Sequence, residues 1–104
     1  AMTNKHVGLI DNWIRHIKDS YRFNKAELDS ISDLKTRFDR FVELNVKEQV
    51  YDLAKTSIIQ NAWANGQEIH LHGWVYSIED GIIRDQKCTL KNNDNLDEVY
   101  QLEI

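Results

Sequence analysis

With 104 residues, a net charge of −4 and a pI near 5.5, the chain is long enough for one small domain and too acidic for a nucleic-acid backbone to be its main ligand. Its 41% hydrophobic and 29% charged residues are ordinary for a soluble globular protein, and no apolar run nears the roughly 18 residues of a membrane span. Cys88 is the sole cysteine, which excludes an internal disulfide and a cysteine-rich zinc cluster and fits a reducing, cytoplasmic setting.

Ala1 ahead of Met2 reads as a tag-cleavage scar, with Met2 the expected start of the cloned frame. Residues 7–22 follow as an amphipathic helix, because Ile10, Trp13, Ile14, Ile17 and Tyr21 recur at three- and four-residue steps. Asn24 with Glu27 three residues on has the spacing of a capping box for the next helical stretch. Ile31, Leu34, Phe38, Phe41 and Val42 continue a helical stripe, which resumes after Asn45, a position for a bend, through Val46, Val50, Leu53 and Ala54. Lys35, Arg37, Arg40 and Lys47 alternate with Asp33, Asp39, Glu43 and Glu48, the pattern of a solvated helix face. Thr56 or Ser57 is placed to cap a further helix carrying Ile58, Ile59, Ala62 and Trp63, which Asn65-Gly66 ends.

A strand is expected over Glu68–Ile78, with Ile69, Leu71 and Val75 on one face and His70, His72, Trp74, Tyr76 and Ile78 on the other. Neither face is polar, so the strand is expected to be covered on both sides, and Gly73 leaves room for another backbone to come close. Asp80-Gly81 signals a turn, and Ile82–Leu90, more polar at Arg84, Asp85, Gln86 and Lys87, reads as an edge-strand hairpin partner. Asn92–Asn95 reads as a loop and Asp97–Leu102 as a short terminal helix. The expected architecture is one α/β domain over 1–104: three or four helices packed on a hairpin that is the end of a larger, mostly parallel sheet. The chain itself has too few strands to supply that sheet.

Chemistry-bearing groups are sparse. His70 and His72 point the same way on a strand and form two-thirds of a metal site, for which Cys88, His6, His16 or a carboxylate would have to supply a third ligand. The alternative is that both imidazoles are packed or hydrogen-bonded. For Cys88 the choices are a reactive thiol or an inert buried one, and no neighbouring base or helix start favours the first. Trp13, Trp63 and Trp74 read as core or interface anchors. Phosphate-loop, nucleophile-elbow and His-Glu-x-x-His patterns are not in the sequence.

Three stretches together carry a family resemblance. Glu43-Leu44-Asn45-Val46-Lys47-Glu48-Gln49-Val50 precedes Ala62-Trp63-Ala64-Asn65-Gly66, and His72-Gly73-Trp74-Val75-Tyr76-Ser77-Ile78-Glu79-Asp80-Gly81-Ile82-Ile83-Arg84-Asp85 follows. In this order and spacing they resemble the C-terminal half of β-class carbonic anhydrases, zinc enzymes that interconvert carbon dioxide and bicarbonate. Gly8–Ile17 resembles the helix that follows the zinc site there. The resemblance implies a zinc enzyme in its complete form, with ligands in a Cys-x-Asp-x-Arg segment and a later His-x-x-Cys segment. Neither segment occurs in these 104 residues, and Cys88 matches no family ligand, so no zinc site, no catalytic residue and no activity are expected of this chain alone. The resemblance further implies that Tyr76 stands where an allosteric subgroup uses a tyrosine to help hold a non-catalytic bicarbonate, the alternative being an aromatic packed on the sheet. Expected partners are a second copy or the missing N-terminal half, with Trp74 and Tyr76 at the association surface. A non-catalytic association module is the other reading.

Overall fold

The computed structural model describes residues 2–6 and 8–92. Its elements in order are α1 (Asp11–Phe23), α2 (Lys25–Asp29), α3 (Leu34–Ala54), α4 (Ser57–Ala64), β1 (Trp74–Tyr76) and β2 (Ile83–Asp85). Four helices with an antiparallel hairpin agree with the expected α/β class. The chain gathers into two compact units, Ala1–Asn45 and Val46–Ile104, and α3 contributes to both. None of the described helices is long and apolar enough to cross a membrane. The helix expected over 97–102, and residues 93–95 of the expected loop, lie outside the described residues.

In the first unit α1 begins at Asp11, not at residue 7. Gly8 takes φ +92°, outside the helical range, and the chain turns through Asp11 N–H to Gly8 C=O (3.0 Å) before the helix starts. Asp11 in the first turn and Arg22 in the last complement the helix dipole. The interior is small: Leu28 and Phe41 are buried, and Tyr21 meets Phe41 edge-on with ring centroids 5.3 Å apart. The capping box at Asn24–Glu27 does not form. The Asn24 amide donates backward to the Ser20 carbonyl (2.8 Å), and the Glu27 carboxylate accepts from the Arg40 guanidinium at 3.0 and 3.2 Å. The working cap is Asp33, whose Oδ2 accepts from Thr36 N–H (2.9 Å) and Thr36 Oγ1 (2.6 Å) at the start of α3.

The solvated face read into α3 is divided. Lys35 and Asp39 make an exposed i,i+4 pair at 3.0 Å. Arg37 and Arg40 are half-buried and structural: Arg37 donates twice to the Ile31 carbonyl (3.0 and 2.8 Å), and Arg40 ties α3 to Glu27 of α2. No break occurs at Asn45: α3 is continuous from Leu34 to Ala54, and Ser20 Oγ, buried, donates to Asn45 Oδ1 at 3.4 Å.

In the second unit Val50, Ala54 and Leu71 form the core, with Tyr51, Ile59, Trp63, Ile69, Cys88 and Leu90 packed around it. Thr56 caps α4 as its sequence indicates, its hydroxyl accepting from Ile59 N–H at 3.5 Å. Beyond α4, Gly66 at φ +78° lets Gly66 and Gln67 donate to the Trp63 and Ala62 carbonyls, a Schellman ending. The long strand of 68–78 is shortened to β1 with one isolated bridge, Leu71 to Leu90. The register pairs Trp74 with Asp85, Val75 with Arg84 and Tyr76 with Ile83. Between bridge and ladder two residues, His72 and Gly73, oppose four, Gln86–Thr89. The surplus is taken up by a bulge in which Lys87 adopts φ +57° and donates to Asp85 Oδ1 (2.8 Å).

Candidate functional site

The hairpin presents its chemistry on one side. Leu71 and Gly73 are buried and Val75 is half-buried, whereas His70, His72, Trp74, Tyr76 and Ile78 are exposed, Trp74 by 53% and Tyr76 by 60%. The alternation expected from the sequence is present, but among the described residues only one face is covered. Trp63 fixes the approach to the strand by donating its indole N–H to the Ile69 carbonyl at 2.9 Å.

Gly73 is where the covered face is tightest. A Cβ placed there overlaps Cys88 Sγ and lies 3.2 Å from both Val46 Cγ1 and Val50 Cγ2 of α3. The close approach inferred from Gly73 is therefore made by side chains rather than by another backbone. Cys88 is a half-buried packing group in that contact.

On the exposed face the rings form a ladder. His70 and His72 lie edge-to-face with centroids 6.2 Å apart, and His72 stacks on Trp74 at 5.6 Å with an interplanar angle of 27°. His72 Nδ1 shares a hydrogen bond with Thr89 Oγ1 (2.9 Å), and His70 Nε2 lies 3.6 Å from Glu68 Oε1. The alternation along the strand places His72 beside Trp74, but Thr89 was not signalled by spacing, because the bulge brings it to His72.

The described residues weighed as zinc ligands are not brought together. Among the described residues no group of three His, Cys, Asp or Glu is gathered as a metal site, and Cys88 lies on the covered face, across the strand from both histidines. His6, weighed as a third ligand, is paired with Asp11 in the other unit.

Tyr76 stands beside the turn at the hairpin tip. Gly81, at φ +69°, closes that turn, and a Cβ there would be 3.8 Å from the Tyr76 hydroxyl. Asp80 stiffens the turn by accepting from Ile82 N–H (3.0 Å) and Arg84 (2.6 Å), and the guanidinium holds its carboxyl below the usual carboxylate range. The Tyr76 hydroxyl and the Trp74 indole N–H have no hydrogen-bond partner among the described residues, so the face offers two unused donors.

Comparison with known proteins is consistent over most of the chain. A family model described as carbonic anhydrase matches residues 1–83. A carbonic anhydrase of Emericella nidulans is 39% identical over 85 residues, covering 82% of this chain and 37% of that protein. Carbonic anhydrase 1 of Escherichia coli O157:H7 is 33% identical over 78 residues, covering 75% of this chain and 34% of that protein. Among solved structures, a Coccomyxa β-carbonic anhydrase in complex with acetazolamide superposes with a TM-score of 0.80 at 30% identity, over 86% of this chain and 40% of that one. A tetrameric β-carbonic anhydrase of the ascomycete Sordaria macrospora does so with a TM-score of 0.72 at 30% identity, over 86% of this chain and 45% of that one. The chain thus spans well under half the length of these relatives.

Proposed function

The chain belongs to the carbonic anhydrase family, and from that premise we propose that it forms the C-terminal part of a β-class enzyme that, when complete, interconverts carbon dioxide and bicarbonate in the cytoplasm. The observation that carries this is the hairpin: within His72-Gly73-Trp74-Val75-Tyr76 the strand Trp74–Tyr76 is, among the described residues, covered on one face only, in a chain matching 40% of a β-class structure. In this reading the remainder of the enzyme supplies the zinc ligands, and these 104 residues hold no catalytic zinc and do not hydrate carbon dioxide by themselves. Tyr76, with its unused hydroxyl at the turn, contributes to a non-catalytic bicarbonate site whose other groups come from that remainder.

Stopped-flow carbon dioxide hydration on the purified chain, with zinc supplied and its bound content measured in the same sample, tests the reading. The expected result is no rate above buffer and no stoichiometric zinc, followed by activity when the zinc-bearing part is added. Zinc-dependent turnover lost in His70→Ala or His72→Ala would overturn it.

A second reading is favoured by the exposure of Trp74 and Tyr76: a non-catalytic module that pairs with a second copy or with full-length enzyme through these residues. The coding DNA upstream of Met2 separates the two. In-frame Cys-x-Asp-x-Arg and His-x-x-Cys codons support the enzyme, and a start signal immediately before Met2 supports the module.

A further inference from the structure

One face of α1 carries a run of cations in an otherwise acidic chain. Arg15, Lys18 and Arg22 follow at helical spacing, and Lys25 opens α2 beyond them. Residues 3–6 lie along this face and are fastened to it at two points. Lys18 Nζ donates to the Thr3 carbonyl (3.1 Å) and to Asn4 Oδ1 (2.6 Å), and His6 Nδ1 pairs with the Asp11 carboxylate. Segment and helix enclose a cavity of about 420 Å³, lined by the half-buried Ile14 and by Lys5, Arg15 and Lys18 as well as the fastening groups. That is the size of a small-molecule site. Its charge is unbalanced. Among the described residues Lys5 and Arg15 meet no carboxylate, and both acceptors of Lys18 are neutral. The one carboxylate in the lining, Asp11, is held by His6. A second cavity of about 230 Å³ shares Lys18 and adds Arg22, which has Asp19 at 3.9 Å, and Lys25, which has Asp29 at 2.7 Å. The excess of positive charge therefore belongs to the first cavity.

We infer that this cavity binds a small phosphate monoester, with the phosphoryl group between Arg15 and Lys5. A guanidinium supplies two parallel donors that match phosphate oxygens, and the ammonium groups add point charge. Three cations against one carboxylate leave the lining two positive charges in excess. A phosphate monoester, at about −1.5 to −2 near neutral pH, balances that excess, and a monocarboxylate does not. The Asn4 amide nitrogen is a further donor in the lining, and Ile14 offers the organic portion an apolar surface. The inference uses only residues of the first unit and does not depend on the proposed enzyme function.

Isothermal titration calorimetry of the 104-residue chain with glycerol 3-phosphate tests this, with glycerol, inorganic phosphate and citrate titrated in parallel. The expected result is saturable binding of glycerol 3-phosphate at one site per chain, weaker binding of inorganic phosphate and citrate, and no binding of glycerol. Arg15→Gln and Lys5→Gln are each expected to raise the dissociation constant at least about tenfold. Lys35→Gln, which alters an exposed cation elsewhere in the same unit, is expected to leave it within about twofold. Arg15 and Lys5 are exposed, so both variants should keep the melting temperature of the wild type. No saturation below about 10 mM, citrate binding as tightly as glycerol 3-phosphate, or an equal weakening in Lys35→Gln would overturn the inference. So would displacement of the phosphate by the zinc-bearing part of the enzyme under conditions where its addition restores carbon dioxide hydration. The proposed function would then stand while the phosphate site fails.

Discussion

At Gly73 a single hydrogen atom decides whether helix and strand can meet. Cys88 Sγ occupies the space of the absent Cβ, and Val46 and Val50 close in from α3. Gly73→Ala is expected to destabilise the fold by about 1–3 kcal/mol through overpacking. Adding Cys88→Ala should recover part of that loss, a non-additivity read from urea midpoints of the single and double variants. Asp33 presents a second residue-scale test. Its hydrogen bonds from the Thr36 side chain and backbone hold the carboxyl below the usual range. A lowered folded-state pKa means stabilisation that is present above the unfolded value, near 4, and is lost as pH falls through the folded one. Thermal melts of wild type and Asp33→Ala should therefore differ at neutral pH, wild type melting higher, and converge in strong acid. Asp33→Asn should retain much of the cap.

Among the elements, the caps show how local signals compete. Asn24–Glu27 and Asp33–Thr36 have the same three-residue spacing, yet only the second works as a cap, because Arg40 from the next helix claims the Glu27 carboxylate. No local rule separates the two, since the deciding partner is 13 residues away. The Thr56 cap, the Gly66 ending and the Asp80-Gly81 turn were legible because each is settled within five residues by backbone geometry. The bulge was not. Arg84-Asp85-Gln86-Lys87 reads as a polar edge strand, and nothing in its composition places Lys87 at φ +57°. Lys87→Gly relieves that conformation and is expected to stabilise the hairpin by up to about 1 kcal/mol, checked by thermal melting and by unchanged dispersion in the amide spectrum. Lys87→Val should do the reverse.

Across the described residues much apolar surface is uncovered. Five hydrophobic residues are buried among the described ones, while thirteen large hydrophobics, from Leu9 at 93% to Leu53 at 48%, are exposed. A monomeric domain seldom presents so much, and the surplus fits a chain spanning 34–45% of its relatives. A dye that fluoresces on apolar surface, such as ANS, is expected to bind the native chain at neutral pH and to be released as the zinc-bearing part of the enzyme is titrated in. Fluorescence at the level of an ordinary compact monomer would show that the exposed side chains are covered in solution by other means.

The sequence by itself determined the helices, the hairpin with its turn, the alternation of faces along the strand and the family, because these depend on spacing and on residue types close in the chain. It also determined that Trp74 and Tyr76 share a face with His70 and His72. Only the tertiary structure decided that this face is uncovered among the described residues, that Cys88 is packed against Gly73 away from the histidines, and that Arg37 and Arg40 are structural. Those outcomes depend on which distant segments meet, and packing across the chain, unlike periodicity within it, leaves no local signature.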